Sequence, residues 1–323
     1  MKFINKIYLT DYYEIKFLGL TIYKKIVKPT FVYKKYLSGF FKVKEYKLYN
    51  LYYILGVQLP RTTEAKIVPL LEKFALKNYY TTERLIKTSL LHQKTFSEYK
   101  NINAGKEVVI LGAGPTLNKY VPIKNAVHIG VNRTFLFDKV NLDYLFAIDK
   151  EGIKQYYKEF TNYKGNNCIK FIGDQNINKN FQIPEDIANQ IESKRYKTTG
   201  HYLPDRFALD LEASPIGNFA TVTLQAMQFA LYTNPKKIYL VGIDCNISAK
   251  GHFVGKTPDN STRGQDPKWL DGIQRDQWFS IKPFLEMYYP NIEVISINPI
   301  GLKGLFKDIY TDENGNFTNM EDR

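Results

Sequence analysis

Short apolar runs alternate with amphipathic stretches through the second two-thirds of this chain. Runs of strand length fall at 107–111, 126–132, 143–149, 168–173, 237–243 and 293–298, and helical periodicity falls at 116–121, 150–160, 184–193, 217–232 and 275–288. Strands buried on both faces read as short apolar runs, and their alternation with helices is the pattern of a parallel sheet. The expected fold is α/β: a Rossmann-like, mostly parallel sheet with helices on both faces. The stretch at 217–232 is apolar nearly all round (Phe219, Val222, Leu224, Met227, Phe229, Leu231), which predicts a central buried helix.

The first third reads differently. Apolar positions Ile67, Leu70, Leu71, Phe74 and Leu76 predict a helix after Thr62, and a second runs from Thr81 to about His92. Before them, Phe17-Leu18-Gly19-Leu20 and Tyr53-Ile54-Leu55-Gly56 form a weak repeat of β-prone residues around Leu-Gly. A glycine inside a strand pattern marks a bulge or hairpin bend, so short hairpins are expected. The chain divides into a β-rich segment at 1–61, a helical linker at 62–105 and an α/β domain at 106–323.

The strand ends carry the candidate chemistry. Val108–Leu111 breaks on Gly112-Ala113-Gly114-Pro115-Thr116, and the next runs end at Asn132 and Asp149. The run from Lys237 ends Gly242-Ile243-Asp244, and a further glycine turn, Ser214-Pro215-Ile216-Gly217, precedes the central helix. Ligands of open α/β sheets sit beyond the carboxyl ends of the strands. A glycine turn entering a helix offers main-chain N–H groups to phosphate, and Gly114 would allow close approach, its replacement sparing the fold. The turn is not a dinucleotide fingerprint: Leu117 holds the third glycine position, and Asn132 stands where an acidic residue would. Nor does Gly-Lys-Ser/Thr follow, as a P-loop needs.

Charge changes the picture at one end. Of the net +13, residues 1–61 hold eleven Lys and one Arg against three acidic residues, a net +9, together with ten Tyr and five Phe. Such a segment suits anionic lipid headgroups or nucleic acid; a small solvated subdomain with an aromatic core is the plainer reading. Two cysteines, Cys168 and Cys245, make neither a disulfide framework nor a metal cluster and fit a reducing cytoplasm. The first residues lack the apolar region of a signal peptide.

Four histidines are present. His128 falls inside a buried strand pattern, while His92 and His201 lack a motif. His252 lies in the polar stretch 247–272, whose breaks at Pro258 and Pro267 read as a lid-like loop. A histidine there suits a general base. Asp244 could hold a metal, a ribose hydroxyl or a reacting hydroxyl, or cap a turn.

Five motifs in order carry a resemblance: Gly112 to Leu117, Gly130-Val131-Asn132-Arg133-Thr134-Phe135, Asp143 to Asp149, Ser214 to Ala220 and Ile238 to Asp244. The set resembles the bacterial sialyltransferases that build lipooligosaccharide. It also resembles 6-hydroxymethylpterin diphosphokinase-like domains, which include the flagellin-modifying motility accessory factors. The first likeness implies a CMP-sugar donor on Gly112, Gly114, Pro115, Thr116, Asn132, Ser214 and Gly217, with Ala113, Asp149 and Gly242 beside them and no metal. That family keeps a histidine before a late helix and tyrosines after Gly-Ile-Asp. Here 270–276 has no histidine, and Cys245 and Asn246 stand for the tyrosines. The base role would pass to His252, Asp271 or Asp276, with Asp244 as a further catalytic candidate.

The expected function is a glycosyltransferase moving a sugar, CMP-linked sialic acid or a related acid, from a nucleotide donor to a lipopolysaccharide- or capsule-type acceptor. It would need no cofactor, would sit on the cytoplasmic membrane face through residues 1–61, and would bind no nucleic acid. One alternative is a diphosphokinase using ATP and Mg²⁺ on a pterin-like alcohol, centred on Asp149 and Asp244. Another is a non-catalytic nucleotide- or nucleic-acid-binding protein, marked by steep salt dependence.

Overall fold

The computed structural model describes residues 4–9, 12–17, 20–27, 31–36, 41–46, 50–54, 57–58, 81–174, 182–199, 206–219, 221–246, 251–254, 266–312 and 316–318. The helix expected after Thr62, His201 and most of the stretch after Asn246 lie outside them. The chain forms two compact units, Met1–Glu83 and Arg84–Arg323.

The first unit is an antiparallel meander of seven strands in chain order: β1 (Ile4–Leu9), β2 (Tyr12–Phe17), β3 (Leu20–Val27), β4 (Phe31–Tyr36), β5 (Phe41–Tyr46), β6 (Asn50–Ile54) and β7 (Val57–Gln58). Phe17 pairs with Leu20 and Ile54 with Val57, so each Leu-Gly of the repeat separates two paired strands, as hairpins require. Lys24 stands opposite Lys35, and Lys25 opposite Lys34.

The second unit holds a nine-stranded sheet in the order β12-β11-β10-β9-β8-β13-β14-β15-β16. The strands are β8 (Glu107–Leu111), β9 (Val127–Val131), β10 (Tyr144–Ala147), β11 (Ile169–Asp174), β12 (Lys194–Lys197), β13 (Lys237–Val241), β14 (Glu293–Ile297), β15 (Lys307–Thr311) and β16 (Phe317–Thr318). Every pair is parallel except β15 with β16. All six sequence-predicted strands are present. The polar edge strand β12 and the terminal pair β15 and β16 lack an apolar run and were not anticipated.

Alternation within each strand feeds two cores. Val108, Ile110, Ile129, Phe146 and Leu240 face one side with α1 (81–96), α4 (Val222–Tyr232) and α5 (Pro267–Tyr288). Val109, Leu111, Leu145 and Val241 face the other with α2 (Tyr157–Asn162) and α3 (Glu185–Gln190). Every residue of α4 is buried, as its all-round apolar pattern predicts. Its two amides are satisfied locally: Gln225 Oε1 accepts from Tyr196, and Gln228 Oε1 accepts from the N–H groups of Ala208 and Gly217.

Three expectations need correction. Residues 84–105 are not a linker. Phe96 and Tyr99 lie in the core of the α/β unit, and the N–H of Asn103 bonds to the carbonyl of Thr233. The late helix begins at Pro267 rather than 275, because Asp266 caps it by accepting from the N–H of Lys268, and a proline at the first position is a start signal, not a break. The helices expected at 116–121 and 150–160 are mostly 3-10 turns, at Pro115–Lys119, Lys150–Gly152 and Lys154–Tyr156.

Candidate functional site

Chain progression runs outward from β8 through β9, β10, β11 and β12, then returns by way of α4 to place β13 on the other side of β8. The switch point of the sheet is therefore between β8 and β13. An open α/β sheet binds ligands there, beyond the carboxyl ends. Gly112, Asn132, Asp149 and Asp244 all follow strands at this edge.

The main-chain N–H groups of the glycine turn are mostly spent within the protein. The N–H of Gly112 donates to Val241 (2.7 Å), that of Gly114 to Gly242 (2.7 Å) and that of Leu117 to Gly114 (3.1 Å). Thr116 gives both its N–H (2.9 Å) and its hydroxyl to the carboxylate of Asp244. Pro115 has no N–H, so of residues 112–117 only Ala113 retains a main-chain donor with no acceptor among the described residues. The glycines are needed for another reason. A β-carbon on Gly112 would meet the carbonyl oxygen of Gly242 at 2.5 Å, and one on Gly114 would meet the Asp244 carboxylate at 2.6 Å. Gly242 itself has φ +65° and would collide with the Gly112 carbonyl. Three glycines and Asp244 thus lock β8 to β13, and a larger residue at Gly114 would disturb the fold, contrary to the sequence expectation.

The open part of the edge lies over β8, β9 and β10. Asn132 follows β9 with φ +49°, a left-handed conformation that asparagine tolerates better than most residues. Its side chain packs so closely on Gly152 that a β-carbon there would lie 2.7 Å from the Asn132 amide carbon. Its Oδ1 is buried and has no hydrogen-bond partner among the described residues. Asp149 follows β10 and caps the next turn by accepting from the N–H of Gly152 (3.0 Å). Between them lies Arg133, only 7% exposed. Its guanidinium sits 6.0 Å from the ring centroid of Tyr156 and donates to the carbonyl of Val254 (3.4 Å). Burial pulls the Arg133 guanidinium below its ordinary pKa, opposed by the nearby Tyr156 and Asp149.

Residues 251–254 close over this corner. The N–H of Phe253 donates to Ala113 (2.9 Å), and the His252 ring hydrogen-bonds to the same carbonyl. Burial, then the charge of Arg133, pushes the His252 imidazole down to about 4, against the pull of the Ala113 carbonyl. His252 is therefore neutral near pH 7, with one ring nitrogen oriented by the main chain. Asn132, Arg133, Asp149, His252 and Ala113 form one constellation.

The other sequence candidates lie elsewhere. Asp271 is buried on α5 on the Asp244 side, where burial, then Asp271 and Asp244, push the Cys245 thiol up to about 12. Asp276 is exposed, five positions further along α5, on the face opposite buried Trp278. Helical spacing separates it from Asp271, and it does not join the constellation. Gly217 spends its N–H and carbonyl on Gln228. Ser214 gives its carbonyl to His92, and no contact among the described residues ties its hydroxyl to Asn132 or Asp149. Further along this turn, the N–H of Asn218 donates to the Thr199 hydroxyl. His128 is a buried packing residue beside Tyr120, as expected.

No family model and no curated protein matches the chain. Similar solved structures are of the sialyltransferase CstII from Campylobacter jejuni. One, with CMP-3FNeuAc, is 17% identical and covers 66% of this chain and 89% of that chain at TM-score 0.37. Another, with cytidine-5'-monophosphate, is 16% identical over 60% and 80% at TM-score 0.37. A sialyltransferase CST-II with trisaccharide acceptor and CMP is 15% identical over 59% and 80% at TM-score 0.35.

Proposed function

We propose that the protein is a glycosyltransferase that takes a sugar from a nucleotide-activated donor and places it on a glycan hydroxyl without a metal. The observation that carries this reading is the corner at the switch point: an unpartnered Asn132 Oδ1, a buried Arg133 and a neutral His252 fixed on Ala113. Asn132 would hold a donor amine or hydroxyl. Arg133 would face the charge that grows as the phosphate leaves. His252 would take the acceptor proton, its tautomer set by the Ala113 carbonyl. Asp149 would hold the neighbouring turn, and Asp244 the β8–β13 junction. Of the other candidates, Asp271 is kept as a support on the β13 side.

The diphosphokinase reading needs Asp149 and Asp244 on the same Mg²⁺. They follow β10 and β13, three strand steps apart in the sheet, which is about 14 Å at ~4.8 Å per step. Ligands to one Mg²⁺ lie about 2 Å from the ion, so this spacing argues against the pair sharing one.

A donor of the CMP-linked sialic acid class and a lipopolysaccharide- or capsule-type acceptor complete the reading, with the first unit resting on the cytoplasmic membrane face. The net +9 of residues 1–61 supports that last point, since basic residues are drawn to anionic lipid headgroups. No helix of the described residues is long and apolar enough to cross a membrane. The test is thermal stabilisation by CMP, CDP, UDP, GDP and ATP, each with and without Mg²⁺, since a ligand of the native state raises stability by RT ln(1 + [L]/Kd). Stabilisation by CMP alone supports the reading, whereas stabilisation by ATP only with Mg²⁺ overturns it.

A further inference from the structure

The nucleotide reading leaves a gap that the structure itself exposes. A donor phosphate needs positive charge or main-chain donors, and of the glycine turn only the Ala113 N–H is left open among the described residues, those of Gly112, Gly114, Thr116 and Leu117 being occupied. One side chain at this corner is placed to fill the gap. Arg133 follows Asn132 directly after β9, is only 7% exposed, and forms no ion pair with a carboxylate among the described residues, although the charge of Asp149 reaches it. Its one hydrogen bond there is to a neutral carbonyl, Val254, at the long distance of 3.4 Å. A guanidinium carries five N–H donors in a planar fork. Leaving such a charge buried against a carbonyl and a ring face is costly unless something anionic completes it.

Its neighbours fit that role. Asn132 Oδ1, one residue away, is buried with no partner among the described residues. Asp149, the nearby acid, accepts from the N–H of Gly152. His252, on the covering segment, is held neutral and so adds no competing charge.

We propose that Arg133 is the phosphate-binding residue of this site, taking the donor's phosphate on its guanidinium fork in place of the Val254 carbonyl. The inference rests on the nucleotide-donor reading and deepens it. It assigns the charge recognition to a side chain just after β9 rather than to the glycine turn after β8. It also makes Arg133 a residue whose presence is unfavourable to the empty fold and favourable to the filled one.

The experiment uses the full chain and the variants Arg133→Met and Arg133→Lys. Melting temperature without ligand is measured first, then the affinities for CMP, cytidine and inorganic pyrophosphate. Arg133→Met should melt no lower than the parent chain, because it removes a buried charge with no ion-pair partner among the described residues. It should bind CMP roughly 10- to 100-fold more weakly, as loss of a hydrogen bond to a charged group requires. Cytidine, which has no phosphate, should bind both alike. Arg133→Lys should fall between, keeping the charge but not the fork. Equal CMP affinity in the parent and Arg133→Met overturns the proposal, as does an equal loss for CMP and cytidine, which is the result of a merely structural role. If pyrophosphate but no nucleotide binds, and binding depends on Arg133, the anion site stands and the nucleotide reading falls. If neither binds the parent chain, both fall.

Discussion

Thr116 donates twice to Asp244, once from its N–H at 2.9 Å and once from its hydroxyl, across the junction of β8 and β13. A carboxylate accepts both bonds, whereas an amide presents one oxygen and one donor. Asp244→Asn should therefore lower stability by about 1–3 kcal/mol, the usual cost of a spoiled buried bond, and leave turnover of the folded enzyme within a few-fold. Parallel melting curves and steady-state kinetics check this. A normal melt with turnover down a hundredfold would instead mean that Asp244 handles a proton.

Gly114 is pressed against the same carboxylate. A β-carbon there would lie 2.6 Å from the Asp244 carboxyl carbon and 2.7 Å from the Gly242 carbonyl, so one element must shift. Overpacking of this kind costs about 1–3 kcal/mol. Gly114→Ala should melt well below the parent chain, whereas Gly304→Ala tests only the backbone, since its added carbon meets nothing within 4 Å. Equal melting of Gly114→Ala and the parent chain would show that the junction is looser than its distances imply.

His92 gives stability a pH dependence. Its Nδ1–H donates to the carbonyls of Leu211 (2.8 Å) and Ser214 (3.0 Å), and its Nε2 accepts from the N–H of Lys197 (2.8 Å). Burial, the largest influence, pushes its pKa down to about 4 from 6.5. The unfolded chain therefore binds a proton below pH 6.5 that the folded one refuses. The His92 contribution is intact above pH 6.5 and is lost as pH falls towards 4, by ~3 kcal/mol in all. Denaturant titrations at pH 7 and 4.5 should show the loss, and His92→Gln should lose less over the same window. Identical losses would remove His92 as its source.

The low pKa of His252, about 4, moves the acid limb of its chemistry. If the neutral ring is the base, kcat should hold from pH 7 down to near 4 rather than fall below 6.5. His252→Ala should lower kcat by roughly 10²–10⁴. A pH–rate profile breaking near 6.5, or near-normal turnover of the variant, would assign the proton to another group.

The lysine pairs of the first unit make a prediction at the membrane. Full-length protein should bind vesicles containing anionic lipid, and less so as salt rises through physiological strength. Replacing Lys25 and Lys34 with Gln should weaken that binding by ~1 kcal/mol per residue, with CMP stabilisation unchanged. Unaltered vesicle affinity would leave the sheet as a structural module.

Much of this was legible in the sequence because burial writes itself as apolar runs. The strands that end at Asn132 and Asp244, and the all-apolar α4, could be read that way. β12 could not, because its Lys194-Arg195-Tyr196-Lys197 sits at an edge and needs no apolar run. Asp266 and Pro267 announce the start of α5, but a proline marks a helix start and a loop break alike. The glycine turn misled for a physical reason: glycine permits close approach to whatever is there, and here that is Gly242 and Asp244 rather than a ligand. Arg133 stood in a quoted motif, and the available signal was a cation directly after a buried strand.

The central position of β8 governs how this protein is made. β8 bonds to β9 on one side and on the other to β13, with Glu107 aligned to Lys237. Everything between those two residues must leave the ribosome before the second edge of β8 is covered. At roughly 5–20 residues per second, that interval lasts about 6–26 s. Throughout it, Val108 to Leu111 offer an apolar strand edge to any passing chain. Nascent or truncated chains that stop short of β13 should therefore depend on chaperones, and slow codons placed just before Lys237 should lengthen the interval and lower the soluble yield.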